Sequence, residues 1–226
     1  MKKRPELLAP AGTMEKLQMA LAYGADAAYL GGVQFGLRAF GGNFANEEIR
    51  AAVQLAHGAG KKVYVTVNVF PHNDDLVSLP DYLRFLAEVG ADAVLVADLG
   101  VFMLVREAAP TLPVHISTQA NNVNWRTVRA WQELGAERVV LARELSREEI
   151  REIRRHTSVE LELFVHGAMC ISYSGRCLLS SYFTGRDANR GACAQSCRWK
   201  YALVEMSRPG EYYPIAEDER GTYIMN

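Results

Sequence analysis

Seven short apolar runs recur along this chain of 226 residues, and helical patterns fill the intervals between them. Most of the runs are continuous apolar stretches, which are typical of strands buried on both faces of a parallel sheet. They predict seven strands, at Leu7–Ala9, Ala27–Leu30, Val63–Val67, Ala93–Val96, Val114–Ile116, Val139–Leu141 and Leu161–Val165.

The intervals carry helix signals. Apolar residues at positions 49, 52, 53 and 56 follow the i, i+3, i+4, i+7 spacing of an amphipathic helix, and we expect Asn46 to cap it. Ser146 and Glu149 form a capping box at the start of a later helix. Strands and helices therefore alternate.

Glycines mark the ends of several predicted helices. Gly24, Gly90 and Gly135 each stand where a helix ends and the next strand is about to begin, and the first two are 66 residues apart, or two units near 33. Repeats of this size suit a TIM-like (β/α) barrel or a doubly wound open sheet. Because no glycine-rich dinucleotide turn follows the first strand, we favour the barrel, with a flavodoxin-like open sheet as the alternative.

Catalytic groups of such barrels lie at the carboxyl ends of the strands. We expect Asp98 and Asn124 to act there as helix caps. His57 and His156 fall near helix carboxyl ends and receive no functional role, and His115 is interpreted as a core or rim histidine. The remaining polar residues that follow strands are Asn68 and His72 after the third, Gln119 and Asn121 after the fifth, Arg143 and Glu144 after the sixth, and His166 after the seventh.

Net charge and hydropathy exclude some classes of protein. A formal charge of −1 argues against a globally basic coat for nucleic acid, although a local basic patch stays possible. No stretch approaches the roughly 18 apolar residues of a membrane span, so we expect a cytoplasmic protein without a membrane partner.

Four cysteines fall within 28 positions, Cys170, Cys177, Cys193 and Cys197, while the first 169 positions have none. Four soft sulfur ligands suit tetrahedral zinc or an iron–sulfur cluster, and the spacing alone does not choose between them. Two disulfides, or a nucleophilic thiol of Cys170 activated by His166, are the alternatives without a metal.

The segment around the cysteines is basic and aromatic. Between Cys170 and Tyr201 five cations stand against one acid, so its charge is 5 − 1 = +4; the residues are Arg176, Arg186, Arg190, Arg198 and Lys200 against Asp187. Cations contact phosphates and aromatic rings stack on unpaired bases, so this segment is a candidate site for single-stranded RNA. The alternative is an ordinary surface loop.

The run from Glu162 to Ser180 resembles the signature of the collagenase-like peptidase family U32. Leu8–Gly12, Tyr23–Ala27 and Gln119–Trp125 extend the resemblance over the chain, and the runs Gly191–Trp199 and Arg208–Asn226 resemble a branch of that family that modifies tRNA.

The resemblance implies synthesis of 5-hydroxyuridine at the tRNA wobble position without molecular oxygen. It also implies prephenate as hydroxyl donor and an iron–sulfur cluster of the 4Fe–4S type, held by Cys170, Cys177, Cys193 and Cys197. A collagenase-like hydrolase is the alternative, although the sequence has neither an HExxH zinc helix nor a GxSxG elbow. A third possibility is an RNA-binding or cluster-carrying module without activity.

On this reading Arg143 and Arg176 clamp the dicarboxylate donor, His166 moves a proton, and Glu144 completes the catalytic set. Residues expected to bind substrate are Asn68, His72, Gln119, Asn121, Tyr173, Arg186, Arg198 and Trp199.

The predicted organisation has three parts. Residues 1–169 form barrel units one to seven, 170–201 a cysteine-rich excursion of the same domain, and 202–226 a C-terminal segment that leads to an eighth unit. Family members continue beyond this point, so we expect a truncated barrel, completed by a C-terminal part or by a second copy of the chain.

Overall fold

The computed structural model describes residues 4–36, 42–167, 170, 172–173, 176–188, 192–213, 215–218 and 221–224. The chain divides into two compact units, Met1–Ala194 and Gln195–Asn226. Of the residues given a possible role above, Arg190 lies outside the described residues, and so do parts of the runs Glu162–Ser180, Gly191–Trp199 and Arg208–Asn226.

Strands and helices alternate through the first unit. The strands are β1 (Leu8–Pro10), β2 (Ala27–Gly31), β3 (Lys62–Val67), β4 (Ala93–Val96), β5 (Val114–Ile116), β6 (Arg138–Val140) and β7 (Glu160–Glu162). The helices are α1 (Met14–Ala22), α2 (Asn46–Gly58), α3 (Asp75–Glu88), α4 (Leu99–Ala108), α5 (Trp125–Glu133), α6 (Arg147–His156) and α7 (Leu179–Thr184).

The seven strands form one parallel sheet in the order β1 to β7, and each pairs with the next one along the chain. One of the helices α1 to α6 lies in each connection between neighbouring strands, which makes every connection a βαβ crossover. This is the TIM-like α/β arrangement that the sequence predicts, with the strands in barrel order. The open-sheet alternative would require a break in that order.

The sheet has two apolar layers of unequal size. A large core fills the space between the outer face of the sheet and the helices, and it includes the fully buried Leu17, Ile49, Leu83 and Phe102. On the inner face a smaller cluster is formed by Ala27, Tyr64, Ala93, Leu95 and Val140. Because both faces are covered, the central strands β4, β5 and β6 are buried at every position, as continuous apolar runs indicate.

The helix ends follow local chemistry. The capping box of α6 is confirmed, because the Glu149 carboxylate accepts the Ser146 N–H at 2.7 Å while Ser146 Oγ accepts the Glu149 N–H at 3.3 Å. The prediction that Asn46 caps α2 is wrong by one residue. The extended residue before this helix is Ala45, and its N–H donates to the Glu48 carboxylate at 2.7 Å.

The three punctuating glycines behave as predicted. Gly24, Gly90 and Gly135 have φ of +98°, +81° and +97°, in the left-handed region that disfavours residues with a Cβ. Each follows a helix and leads directly into the next strand, so the repeated glycine sets the length of the βα unit.

Strand β7 is shorter than the apolar run Leu161–Val165 predicts. It pairs with β6 over three positions only, from Glu160 to Glu162. Beyond the last pair the side chains of Leu163 and Phe164 are exposed, and Val165 is 89% exposed. Leu163, Phe164 and Val165 therefore belong to a surface segment and not to the strand.

A buried guanidinium links the first and last strands at the amino end of the sheet. The side chain of Arg138 in β6 is 9% exposed and contacts Glu6, which precedes β1, at 2.8 Å. It also contacts Glu160 at 2.7 Å and Glu162 at 3.4 Å, both in β7. Burial alone would lower the pKa of Arg138, but these carboxylates outweigh burial and raise it.

The carboxylates around Arg138 differ in their titration. Burial alone would raise the pKa of Glu6, but hydrogen bonds from Arg138 and Tyr64 outweigh it and hold the pKa below its ordinary value of 4.5. Burial dominates for Glu162 and raises its pKa above 4.5, despite the attraction of Arg138. Ionised Glu6 therefore stabilises the fold, whereas ionised Glu162 opposes it.

The second unit is built from two short antiparallel ladders. Strand β8 (Leu203–Val204) pairs with β9 (Tyr212–Tyr213), and β10 (Ile215–Asp218) pairs with β11 (Gly221–Ile224). Among the described residues, none of the helices has both the length and the apolar character needed to cross a membrane.

Two matched substitutions test the Arg138 network. We expect Glu6→Gln to lower the free energy of unfolding by about 1–3 kcal/mol at pH 7, because it removes a charged hydrogen-bond partner of a buried cation. The difference between wild type and variant should decrease as the pH falls below 4.5, because wild-type Glu6 then becomes protonated and is neutral like glutamine.

The partner substitution Glu162→Gln should raise the free energy of unfolding at pH 7, and the gain should fade below pH 4.5, where Glu162 is protonated in both folded and unfolded chains. Urea unfolding between pH 3 and pH 8 provides the measurement. Equal destabilisation by both substitutions at pH 7 would contradict the assignment of opposite effects on stability to ionised Glu6 and ionised Glu162.

Candidate active site

The carboxyl ends of β3, β5 and β6 bring together residues that are distant in sequence. Asn68 follows β3, Ser117 follows β5, and Arg143 lies three residues after β6. The Asn68 amide donates from Nδ2 to Ser117 Oγ at 3.2 Å, although 49 positions separate the two residues. The sheet order therefore places Asn68, a predicted site residue, in contact with Ser117, which the sequence analysis did not single out.

Ser117 is the centre of this contact. Ser117 is 2% exposed. Its Oγ accepts hydrogen bonds from the Asn68 amide and, at 3.4 Å, from the backbone N–H of Gln119. Gln119 lies in the 3₁₀ turn Thr118–Ala120, and Asn121 ends the turn with φ of +52°. The Asn121 amide donates to the Gln119 carbonyl at 3.2 Å, so the whole turn is held by its own side chains.

Several amide atoms near this turn are buried and have no hydrogen-bond partner among the described residues. They are Asn68 Oδ1, Gln119 Oε1, and both Oδ1 and Nδ2 of Asn122. Asn122 is 0% exposed, and only its backbone is engaged, because its carbonyl accepts the Ala142 N–H at 3.2 Å. A buried polar group without a partner costs about 1–3 kcal/mol, so retaining several at one place calls for a ligand or another explanation.

Asn122 and Ser117 are the residues that sequence reasoning missed. The available signal was the run Gln119–Asn122, which has three amide side chains in four positions directly after a buried strand. Only the structure shows that Asn122 is the fully buried one.

Arg143 reaches the cysteine segment. Its guanidinium donates from Nη2 to the Ser172 carbonyl at 3.3 Å, between Cys170 and Cys177 in sequence. The neighbouring Glu144 is exposed. Arg143 is therefore positioned by β6 and connected to the segment that follows β7.

A second arginine lies over the loop after β3. The guanidinium carbon of Arg176 is 6.0 Å from the centre of the Phe70 ring, within range of a cation–π contact. Arg143 and Arg176 therefore connect the segment after β7 to two other strand ends, those of β6 and β3.

Two predicted histidines have different surroundings. His166 is exposed on the segment after β7. His72 is also exposed, and its backbone N–H donates to Asp75 at 2.8 Å at the start of α3. The contact of His72 is thus structural, while the roles predicted for both side chains stay predictions.

Cap predictions at this end of the sheet are confirmed. Asp98 Oδ1 accepts the Val101 N–H at 3.0 Å, and Asn124 Oδ1 accepts the Thr127 N–H at 3.0 Å. Both side chains cap helices that follow strands, α4 and α5.

The opposite end of the sheet confirms the interpretation of His115. This side chain is 4% exposed and packs edge-on against Tyr64, with ring centres 4.7 Å apart. Burial, with help from Arg138 and Lys62, lowers the pKa of His115 to about 3, so the imidazole is neutral near pH 7. A cavity of about 340 Å³ adjoins these residues and Glu160.

All four cysteines are among the described residues, and none of them is in a disulfide. Cys170 and Cys193 are exposed and Cys177 is half-buried, all within the first unit. In the part of the chain that the structure describes, no group of three or more histidine, cysteine, aspartate or glutamate side chains is arranged to hold a metal ion. The donor set itself, four thiols, fits zinc or an iron–sulfur cluster.

The backbone beside Cys193 is held on both sides. The Ala192 carbonyl accepts Arg186 Nε at 3.0 Å, and the Ala194 N–H donates to Ser180 Oγ at 2.9 Å. Ser180 belongs to α7, which begins two residues after Cys177. This helix therefore fixes the positions of Cys177 and Cys193 within one local structure.

The other predicted residues are exposed except for one. Tyr173 is exposed and Arg186 is half-buried, and both belong to the first unit. In the second unit, the 3₁₀ turn Ser196–Arg198 carries Cys197, and Arg198 and Trp199 are exposed beside it.

Comparison with known proteins assigns the family. The sequence profile of peptidase family U32 matches residues 12–226, and the chain belongs to this family. A solved structure of a U32 peptidase is similar in fold, with a TM-score of 0.61 and 22% identity, covering 72% of this chain and 70% of that one.

Two relatives from bacteria are more similar in sequence. The tRNA hydroxylation protein P of Escherichia coli K12 is 44% identical over 99% of this chain, and the tRNA hydroxylation protein P1 of Bacillus subtilis 168 is 51% identical over 90%. The chain spans 58% and 48% of the length of these two relatives.

Hydrogen exchange at Ala194 tests how the Cys193 segment is held. We expect Ser180→Ala to speed exchange of the Ala194 amide about tenfold or more, because that N–H loses its acceptor. Ser181→Ala is the matched control, since Ser181 Oγ contacts the Arg186 carbonyl and not Ala194. If both substitutions accelerate the Ala194 amide equally, α7 as a whole, and not the Ser180 hydroxyl, holds the segment.

Proposed function

We propose that the protein hydroxylates RNA, converting the wobble uridine of tRNA to 5-hydroxyuridine. The observation that carries the proposal is that buried amides and arginines both follow the carboxyl ends of the strands, in a chain similar to proteins named for tRNA hydroxylation. Amides suit a base and arginines suit an anion, so this end of the sheet offers places for two chemically different substrates.

The proposed reaction uses no molecular oxygen. It exchanges the C5–H of uridine for C5–OH, while the donor gives up a hydroxyl and takes a hydrogen in its place. The base loses two electrons and the donor gains two, so the exchange balances without O₂. Prephenate is the proposed donor, and it carries two carboxylates that the protein must bind.

Arg143 and Arg176 are the proposed carboxylate ligands. Planar guanidinium groups pair with carboxylates through two parallel N–H···O bonds. Arg143 is fixed by β6 and by the Ser172 carbonyl, and Arg176 by the Phe70 ring, so both cations are held before the donor arrives. Glu144 follows Arg143 directly, and we assign it a supporting catalytic role.

The proposed cluster ligands are Cys170, Cys177, Cys193 and Cys197. A bound iron–sulfur cluster of the 4Fe–4S type would supply electron transfer or a Lewis-acidic iron beside the substrates. His166 is proposed to hold and move a proton, because the two ring nitrogens of an imidazole can donate and accept hydrogen bonds.

Exposed and half-buried side chains of the cysteine segment are proposed to bind the RNA strand. Arg186 and Arg198 would contact phosphates, while Tyr173 and Trp199, 53% and 47% exposed, offer ring faces on which unpaired bases stack. His72, exposed at the start of α3, is proposed to contact the same strand.

A collagenase-like hydrolase is the second candidate. It is favoured by the resemblance to a solved U32 peptidase and by the exposure of Cys170 and His166, four positions apart. An RNA-binding or cluster-carrying module without activity is the third. The presence of bound iron would distinguish the RNA hydroxylase from the hydrolase. Formation of hydroxylated RNA would distinguish the hydroxylase from the module without activity.

Anaerobic purification followed by iron and acid-labile sulfide analysis tests the cluster, and mass spectrometry of tRNA nucleosides tests the reaction. We expect bound iron and sulfide, and 5-hydroxyuridine in tRNA when prephenate is supplied. Cys177→Ser should lower both the iron content and the product, whereas Ser181→Ala should lower neither. Peptide cleavage by an iron-free protein would instead support the hydrolase.

The donor site is tested by Arg143→Ala, with Arg143→Lys as the conservative variant. We expect Arg143→Ala to abolish hydroxylation while the visible absorption of the cluster stays unchanged, and Arg143→Lys to restore part of the rate at high prephenate concentration. Loss of the absorption in Arg143→Ala would mean that this side chain supports the cysteine segment through Ser172 and does not bind the donor.

A further inference from the structure

The two outer strands of the sheet differ from the central strands in burial. Every residue of β4, β5 and β6 is buried, whereas no residue of β1 or β7 is buried. In the described part of the chain β1 pairs only with β2, and β7 only with β6. An uncovered strand edge is a template on which another segment can pair.

The backbone of β7 directs hydrogen-bonding groups to its open side. The Glu160 N–H donates to the Glu137 carbonyl of the preceding strand connection at 3.2 Å. The Glu162 carbonyl accepts the Leu141 N–H at 3.0 Å. Because alternate residues of a parallel strand bond to opposite sides, the N–H and carbonyl of the intervening Leu161 face away from β6.

The backbone of β1 has the same arrangement at the other edge. The Leu7 carbonyl accepts the Ala27 N–H at 3.2 Å, so the next residue, Leu8, directs its N–H and carbonyl away from β2. Pro10 faces the same open side two residues later. Proline has no N–H to donate, and within sheets it occurs mainly at such edges.

The two open edges lie near each other. The Arg138 guanidinium contacts Glu6, two residues before β1, at 2.8 Å, and Glu160 of β7 at 2.7 Å. The amino ends of β1 and β7 are therefore within reach of one side chain. A (β/α)₈ barrel has eight strands in consecutive order, and the sheet described here has seven strands in that order.

A groove of about 520 Å³ lies beside β7, on the side of the sheet that the helices cover. Its lining is apolar with a basic rim, and consists of Ile150, Leu161 and Leu163 together with Arg151, Arg154 and Arg155. A helix lies in each connection between neighbouring strands from β1 to β7. The groove is thus where the helix of one more unit would pack, against α6 and β7.

We propose that the open edges of β1 and β7 and this groove form one docking surface for a further helix–strand unit of another stretch of polypeptide. The strand of that unit lies parallel between β7 and β1. Its helix lies in the groove, with apolar side chains toward Leu161 and Leu163 and acidic side chains toward the arginines of α6. This inference does not depend on the proposed reaction.

The occupant comes from outside these 226 residues. No run that the structure leaves undescribed exceeds five positions, which is too short for a helix and a strand. A second copy of the chain has the helix–strand units of its first unit packed in its own sheet. The relatives from E. coli and B. subtilis are longer proteins, of which this chain spans 58% and 48%, so their unmatched parts are suitable sources of such a unit.

A fusion tests the docking surface. The full chain is compared with a fusion in which the part of the E. coli relative that this chain does not match follows residue 226. We expect Tm to rise by about 5 °C or more, and exchange of the Leu161 and Leu8 amides to slow about tenfold or more, because N–H groups at the open edges gain acceptors. The Glu160 amide, which is already bonded within the sheet, is the internal control.

Two pairs of substitutions locate the helix. Leu163→Asp places a charge in the apolar lining and should remove most of the rise in Tm, whereas Val165→Asp should keep it, because Val165 is 89% exposed and does not line the groove. Arg155→Glu should lower the rise more than Arg147→Glu, since Arg147 is on the same helix but not in the lining.

In the unfused chain these four substitutions should change Tm by about 2 °C or less, which separates loss of docking from loss of folding. Unchanged exchange of the Leu161 and Leu8 amides in the fusion overturns the inference, as does an equal effect of Leu163→Asp and Val165→Asp. A dimer of the unfused chain with a protected Leu161 amide would assign the surface to a second copy, and also overturns it.

Discussion

The contact between Arg138 and Glu6 joins the amino ends of the first and sixth strands of the curled sheet on which the candidate site is built. Arg138 belongs to the sixth strand, and Glu6 precedes the first, so one guanidinium bridges positions 132 residues apart. The same guanidinium contacts Glu160 and Glu162 of the seventh strand. Removing Glu6 or Glu160 would leave this buried cation with fewer partners and strongly destabilise the fold, so the curled sheet depends on these two ion pairs.

Strands that are not neighbours are also in contact at the other end of the sheet. The ends of β3 and β5 are close enough for Asn68 to bond Ser117, although β4 lies between these strands. Arg143 and Arg176 then link the segment after β7 back to the ends of β6 and β3. The proposed chemistry thus uses loops, which tolerate sequence change, and each of these loops is attached to a strand of the same rigid sheet.

Much of the fold was predictable, because local patterns and tertiary packing agree. Continuous apolar runs located the central strands. Gly24, Gly90 and Gly135 marked the unit boundaries, because these positions have a positive φ that favours glycine and glycine is visible in the sequence. The β7 prediction overran at Leu163–Val165, since an apolar residue looks the same whether it is covered or exposed. Asn46 was misplaced by one residue because Glu48, from inside the helix, supplies the contact instead.

The site was predictable only in part. Polar residues after strands pointed to Asn68 and Gln119, but the pairing of Asn68 with Ser117 and the complete burial of Asn122 depend on contacts between distant segments. Burial of an amide leaves no trace in a single sequence.

The ion pairs of Arg138 and the contact of Asn68 with Ser117 lie at opposite ends of the sheet, and this separation affects how the protein can change. Substitutions in the loops after β3, β5 and β6 leave the ion pairs of Arg138 with Glu6 and Glu160 intact. Laboratory evolution of the proposed RNA specificity should therefore find its useful variants among these loops, while Arg138, Glu6 and Glu160 should be left as they are.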